Sequence, residues 1–365
     1  MSNFATSQPG IIVINPGSTS TKIAYFEGET QFFVHNLVHT AEELSPYKNV
    51  ADQYQFRKDV IINELKKSGV DFTNVKAVIG RGGMVRPIAS GTYRINEKLK
   101  TDLRQGYLGE HASNLGGLIA DDLASGIPGA QSFIADPVVV DELCPPARVI
   151  GHPLFKRISV FHALNQKAVA RRYAREHNVK YESVNLIVAH MGGGISVGAH
   201  QQGKVIDVNN ALDGDGPLSP ERCGSVPSGQ LIKLCFSKKY TEEEIRKMIN
   251  GRGGLTAYLG TNDVREISRR AENGDEQAAL LFETMCYQVG KWTGAMAAIL
   301  HGKVDAIILT GGIAHNEKVT NYIKEMCGFI APVIVYPGED EMRALALNAL
   351  AVLNGEMEAK DYLAE

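Results

Sequence analysis

Four apolar residues, 11–14, run into eight positions that crowd Asn15, Gly17, hydroxyl side chains and Lys22 together, and a second apolar stretch follows at 23–26. A short continuous apolar run is the pattern of a buried strand, so this segment predicts a strand, a polar turn and a returning strand. The device recurs. Residues 185–190 predict a buried strand, 191–194 (Met-Gly-Gly-Gly) a tight turn, 195–199 an alternating strand and 204–208 another strand. Residues 306–310 predict one more buried strand, which ends in Gly311-Gly312 and feeds a helix from Asn316. A turn rich in Gly, Ser and Thr can aim backbone N–H groups at an anion, because glycine permits close backbone approach. The bland alternative for each turn is a hairpin tip or a sheet corner. Three such turns in this order favour phosphate binding.

Between these segments the periodicity turns helical. Val50, Tyr54, Val60, Ile61 and Leu65 recur at helical spacing over 50–68. Residues 75–79 predict a strand that ends at Gly80-Arg81-Gly82-Gly83, 110–124 a helix closed by Gly126, and 131–136 a short strand. Residues 163–177 predict a basic amphipathic helix with a solvated face. The strongest helix is 275–301, where Ala278, Leu281, Phe282, Met285, Val289, Trp292, Met296, Ile299 and Leu300 make one apolar face and Gly302 ends it. A last helix is predicted over 340–354, stopped by Gly355 and packed back on the first domain. The class is therefore α/β, with one strand-turn-strand plan used twice.

Composition narrows the picture. At 365 residues the chain exceeds one typical core, which predicts two domains. Its 44% apolar and 22% charged residues are those of a soluble globular protein, and a net charge of −3 argues against nucleic acid as a partner. The five cysteines are scattered, odd in number and without C-x-x-C spacing, which predicts neither a disulfide framework nor a zinc site and points to a reducing cytoplasm. Residues 1–10 lack a signal-peptide pattern, and no apolar run reaches the length of a membrane span. No G-x-x-x-x-G-K-[ST] motif occurs, which excludes a P-loop. His35 and His39 have metal-like spacing but no acidic third ligand nearby, and read as an incidental pair.

With these segments in view, the chain resembles the acetate and sugar kinase, Hsp70 and actin superfamily. Within it the chain is similar to the acetokinase family of carboxylate kinases, and there to members that act on butyrate. The resemblance is carried by residues 14–22, 189–194, 221–227 and 309–316, and runs from residue 11 to about 353. It implies two domains of duplicated ribonuclease-H-like plan flanking an interdomain active-site cleft: 1–155 with 342–365, and a nucleotide-binding and dimerisation domain, 156–341. It also implies reversible phosphorylation of a short-chain carboxylate by ATP with Mg²⁺, in a cytoplasmic homodimer or higher oligomer. Competing readings are an acetate or propionate kinase, a sugar kinase using Asp136 as general base, and a non-catalytic nucleotide switch.

A carboxylate nucleophile is already an anion, so the chemistry calls for charge neutralisation and positioning rather than a general base. Arg81 and Arg222 lie in glycine-flanked loops and offer planar forks for carboxylate or phosphate. The resemblance assigns Arg81 to the acyl carboxylate, Arg222 to the transferring phosphoryl group, and His162 and His190 to phosphoryl oxygens as N–H donors. Asp136, held extended by Pro137, falls near metal and acceptor. Asn15, Gly17, Ser18, Thr19, Ser20 and Lys22 form the first phosphate hairpin and Gly192, Gly193 and Gly194 the second. Gly311, Gly312, Ile313 and Asn316 form the adenosine turn. Asn15, Asp136 and one of Glu339, Asp340 and Glu341, taken as Glu341, are the metal-linked residues. Gly83 and Gly109 replace bulkier residues of acetate-specific relatives and, with Phe161, predict a larger acyl pocket. Glu110 or His111 stands where the family has a histidine.

Overall fold

The computed structural model describes residues 8–363; the first seven residues of the amino-terminal stretch discussed above lie outside them. The described strands are β1 (Gly10–Pro16), β2 (Ser20–Glu27), β3 (Thr30–Val38), β4 (Val75–Arg81), β5 (Thr92–Arg94), β6 (Gln131–Ala135), β7 (Asn185–Met191), β8 (Ile195–Gln201), β9 (Lys204–Val208), β10 (Ala306–Gly311), β11 (Val333–Pro337) and β12 (Lys360–Asp361). The chain divides into two units, Met1–Val140 with Asp340–Glu365, and Asp141–Glu339.

Unit 1 holds a sheet of order β12-β5-β6-β4-β1-β2-β3. Strand β1 is buried at every position because β2 pairs with it antiparallel on one side and β4 parallel on the other. Strand β6 continues the parallel run beyond β4. The helices Asn114–Ser125 and Glu341–Leu353 both pack against β1 and β4, which explains why the last helix carries an apolar face with Leu345 and Ala349 fully buried. Unit 2 holds a sheet of order β11-β10-β7-β8-β9, in which β7, β10 and β11 are parallel and β8 and β9 antiparallel. The two units share one plan: a three-stranded meander whose first strand is followed in the sheet by two parallel strands, β3-β2-β1-β4-β6 and β9-β8-β7-β10-β11. The duplicated α/β arrangement expected from the repeated turns is present.

The long helix of unit 2 runs Glu276–Ile299, with Asp275 accepting from the Ala278 N–H as its cap and Gly302 in the left-handed region after its end. Ala278, Leu281, Met285, Val289 and Met296 are its buried stripe against the sheet core, each large side chain stabilising by roughly 1.5–3 kcal/mol.

Three local expectations are corrected. The helix expected over 110–124 begins at Asn114. Glu110 lies before it and accepts from the backbone N–H groups of Val50 and Ala51. The helix Ala163–Glu176 has its solvated basic side, with Arg172 and Arg175 exposed, but Lys167 is not on it and is buried with Asn165, Gln166, Val169 and Ala170. Lys167 is tolerated there because it pairs with Glu142 at 2.6 Å and donates to the Gly203 carbonyl. Asp136 is not extended; its φ is +38°, held by its N–H to the Gly91 carbonyl and by Ser90 Oγ and Gly91 N–H donating to its carboxylate.

Candidate active site

In unit 1 the candidate residues gather at the carboxyl ends of the parallel strands, where ligands bind in open α/β sheets. Asn15 ends β1, Arg81 ends β4 and Asp136 follows β6, and the strand register sets them side by side: Ile14 opposite Gly80, Arg81 opposite Ala135. Glu341 joins them from the first turn of its helix. Both its oxygens face Arg81, at 3.1 and 3.2 Å, and Asn15 Nδ2 donates to it at 2.6 Å. The three acidic candidates at 339–341 separate by role. Asp340 caps the helix by accepting from Arg343 N–H, Glu341 pairs with Arg81, and Glu339 belongs to unit 2. Ser18 and Thr19 are exposed at the hairpin tip, and Lys22 is exposed on β2 opposite Asn15. Asp136 is buried.

In unit 2 the second hairpin sits between β7 and β8. His190, at the end of β7, is buried, and its ring stacks on His162 with centroids 3.7 Å apart and planes 8° from parallel. Its Nδ1 meets Asn165 Oδ1 at 3.0 Å. Its Nε2 lies 3.0 Å from Glu339 Oε1 but without hydrogen-bond alignment, which leaves a buried polar atom poised for another partner. A chain of bonds links His200 to His162. Gln166 Nε2 donates to the Ser196 carbonyl, so its oxygen accepts from His200 Nε2. The same Nε2 donates to Ser196 Oγ, whose proton is then free for His162 Nδ1 at 2.9 Å. Tyr181 OH donates to His200 Nδ1 at 2.7 Å, and burial holds the His200 imidazole well below its ordinary pKa.

Arg222 is preorganised. Its NH1 donates to the Ala211 carbonyl at 2.7 Å and its Nε to Asn250 Oδ1 at 3.2 Å, and burial pulls its pKa below the ordinary arginine value. The triple-glycine turn is not simply open space for a ligand. A Cβ at Gly194 would lie 1.5 Å from Arg222 NH1, so the last glycine is what admits the guanidinium. Gly192, Gly193, Gly312, Ile313 and Asn316 line one cavity of about 1020 Å³. Glu221, Asn262, Arg265 and Lys318, which sequence reasoning did not single out, line it as well. Gly311 sits at φ +88°, where a Cβ would strike the Met191 carbonyl at 2.3 Å.

The acyl-pocket expectations divide. Gly109 faces open space, although its φ of +141° suits glycine. Phe161 is fully buried beside His162. Gly83 is buried, and a Cβ there would meet Asn114 and Leu103. His111 bonds Ser113 Oγ, and desolvation together with the charge of Arg81 lowers its pKa. His35 bonds Glu64 and His39 bonds Thr21. The largest fully buried side chain among the described residues, Arg57, was overlooked. Its signal was present, since Gln53, Arg57, Ile61 and Leu65 fall at i, i+4 spacing on one helical stripe.

Residues 154–329 match the family described as the acetokinase family. Butyrate kinase 2 and butyrate kinase 1 of Clostridium acetobutylicum are 55% and 54% identical to the chain, each over 352 residues that cover 96% of it and 99% of the relative. The crystal structure of Porphyromonas gingivalis acetate kinase superposes with a TM-score of 0.76 at 22% identity, covering 94% of this chain and 100% of that one.

Proposed function

We propose that this chain, which belongs to the acetokinase family, reversibly transfers the γ-phosphoryl group of ATP to a short-chain carboxylate, with butyrate or a branched analogue as acceptor. One observation carries the choice of acid: relatives named butyrate kinase are 54–55% identical over 96% of the chain.

The acceptor oxygen forms a bond to phosphorus as the bond to the β-phosphate oxygen breaks, and that electron pair leaves with ADP. No base is needed; the obstacle is repulsion between anions, and fixed cations and dipoles lower it. We assign the acceptor carboxylate to Arg81, whose fork already matches a carboxylate in its pairing with Glu341. Asn15 orients Glu341. Arg222, fixed by Ala211 and Asn250, is assigned to the transferring group, with His162 as an N–H donor and His190, whose Nδ1 proton goes to Asn165 Oδ1, stacked on it. The cavity beside Gly312 and Asn316 suits the nucleoside, and Gly192 and Gly193, which line it, suit phosphate oxygens; within unit 1 the turn of Gly17, Ser18, Thr19, Ser20 and Lys22 has the chemistry for the same oxygens.

Magnesium takes oxygen ligands, and one or two carboxylates with phosphate and water suffice. Asp136 and Glu341 fit that donor chemistry, each a carboxylate steered by hydrogen-bond donors. Asn15 has its amide engaged by Glu341 and Arg81 and fits less well as a ligand. When bound, the ion neutralises phosphate charge.

ADP formation is measured with acetate, propionate, butyrate, isobutyrate and a hexose, with the acyl phosphate trapped as its hydroxamate. Butyrate or isobutyrate should give the highest kcat/KM; ATP turnover indifferent to every carboxylate refutes the proposal. We also propose, from the resemblance, a cytoplasmic homo-oligomer with unit 2 as its nucleotide-binding half. Exposed Ile232, Phe236 and Tyr258 support self-association, which sedimentation tests.

A further inference from the structure

Arg57 lies in the helix Tyr54–Lys67 and is fully buried. A buried arginine normally answers a carboxylate, because an unpaired charge is costly to take out of water. Among the described residues its side chain meets only neutral groups. Its Nε and NH2 donate to Gln53 Oε1 at 3.0 and 2.8 Å. Its NH1 donates to the Gly17 and Ser20 carbonyls and to Thr21 Oγ1, and its NH2 to the Ser18 carbonyl, all within 2.8–3.0 Å. Three of these acceptors are backbone carbonyls of the first phosphate-type hairpin.

The consequence is directional. In a trans peptide the carbonyl of one residue and the N–H of the next point opposite ways. With the Gly17 and Ser18 carbonyls drawn in toward Arg57, the N–H groups of Ser18 and Thr19 are turned away from it, on the exposed side of the tip. One buried residue therefore sets the aim of the amides and lies beneath them with a positive charge that no local carboxylate cancels. The bond to Thr21 extends the effect. Thr21 Oγ1 lies within hydrogen-bond distance of both Arg57 NH1, at 3.0 Å, and His39 Nε2, at 2.8 Å. Burial, and then the charge of Arg57, lower the pKa of His39, which disfavours a second cation beside Arg57.

We propose that Arg57 is a positioning residue for phosphoryl binding: it shapes the 17–20 turn and supplies from below the charge that favours phosphate oxygens on its outer side. This rests on the kinase reading above. The ligand chemistry is a terminal phosphoryl group, carried by ATP or by the acyl phosphate.

The discriminating variant is Gln53→Glu. It places a carboxylate where Arg57 already has two bonds, so the turn keeps its shape while the charge is cancelled. Dissociation constants for ATP, butyryl phosphate and AMP are measured by calorimetry with melting temperature alongside. The expected result is a loss of roughly tenfold for ATP or butyryl phosphate, the scale of one unit charge acting at about 10 Å in a medium between protein and water. AMP affinity and Tm should hold. Loss for ATP alone assigns the turn to the nucleotide chain; loss for both assigns it to the transferred group. Arg57→Lys, which keeps the charge but not the fork, should restore more affinity than Arg57→Met. Unchanged binding of both phosphoryl ligands by Gln53→Glu, or an equal loss for AMP, overturns the inference. A parent protein that binds neither ATP nor butyryl phosphate overturns the kinase reading itself, and this inference with it.

Discussion

Substituting Gly83 by valine tests whether that glycine enlarges a pocket or closes a core. A Cβ at position 83 would lie 2.3 Å from Asn114 Oδ1, 2.7 Å from Asn114 Cα and 2.9 Å from Leu103 Cδ2. The middle distance decides the matter, because a backbone atom at the start of the helix Asn114–Ser125 cannot swing aside as a side-chain end can. Overpacking of this kind costs about 1–3 kcal/mol. Asn114 Oδ1 also accepts the Met84 N–H at 2.8 Å, and displacing it strands that amide at a further cost of about 1–3 kcal/mol. A total near 3 kcal/mol corresponds to a fall in Tm of roughly 6–12 °C for a domain of this size. The assay pairs denaturant melts with kcat/KM for butyrate and acetate. Valine should destabilise unit 1 and lower both specificity constants together, leaving their ratio within about twofold of the parent. A parent-like Tm with a shift of tenfold or more toward acetate would refute the packing argument and restore position 83 to the acyl pocket.

Other outcomes follow from the same geometry. Arg222→Lys should keep ATP affinity nearly unchanged and lower kcat about a hundredfold or more, as for loss of one preorganised donor; a kcat within twofold of the parent would remove Arg222 from the site. Gly194→Ala should lower kcat to a similar extent although the residue need touch no ligand, since its Cβ would displace Arg222 NH1 from 1.5 Å; unimpaired turnover would show that the guanidinium can move without consequence. The folded-state pKa of His200 is depressed, so the unfolded chain binds the extra proton as pH falls below about 6.5, and stability is lost toward acid and flat above that value. His200→Asn should reduce the acid-side slope of unfolding free energy by up to about 1.4 kcal/mol per pH unit, and an unchanged slope measured by denaturant melts would contradict the assignment.

Much of the fold was legible because it is written in local periodicity. The uninterrupted apolar runs that became β1, β7 and β10 are buried at every position but one, Asn185, since each strand lies between neighbours and under helices. The turns after them were legible because glycine and hydroxyl residues announce tight backbone. Boundaries and faces were less so. The helix 163–176 looked solvated because charged residues recur along it, yet Lys167 is buried on Glu142, a residue 25 positions earlier that no periodicity could connect to it.

By itself the sequence determined the α/β class, the duplicated strand-turn-strand plan, the family and the arginines and histidines worth testing, since these depend on residue type and short-range spacing. Only the tertiary structure decided which glycines are hemmed in by their neighbours and which face open space. Gly83, Gly109 and Gly194 read alike in a sequence, but what a side chain would strike is set by Asn114, by open space and by Arg222 respectively. It alone separated Glu339, Asp340 and Glu341, three adjacent acids whose partners are His190, a helix end and Arg81. And it alone showed Arg57 beneath the hairpin, because a charge becomes informative only once the absence of a local carboxylate and the presence of inward carbonyls can be seen in three dimensions.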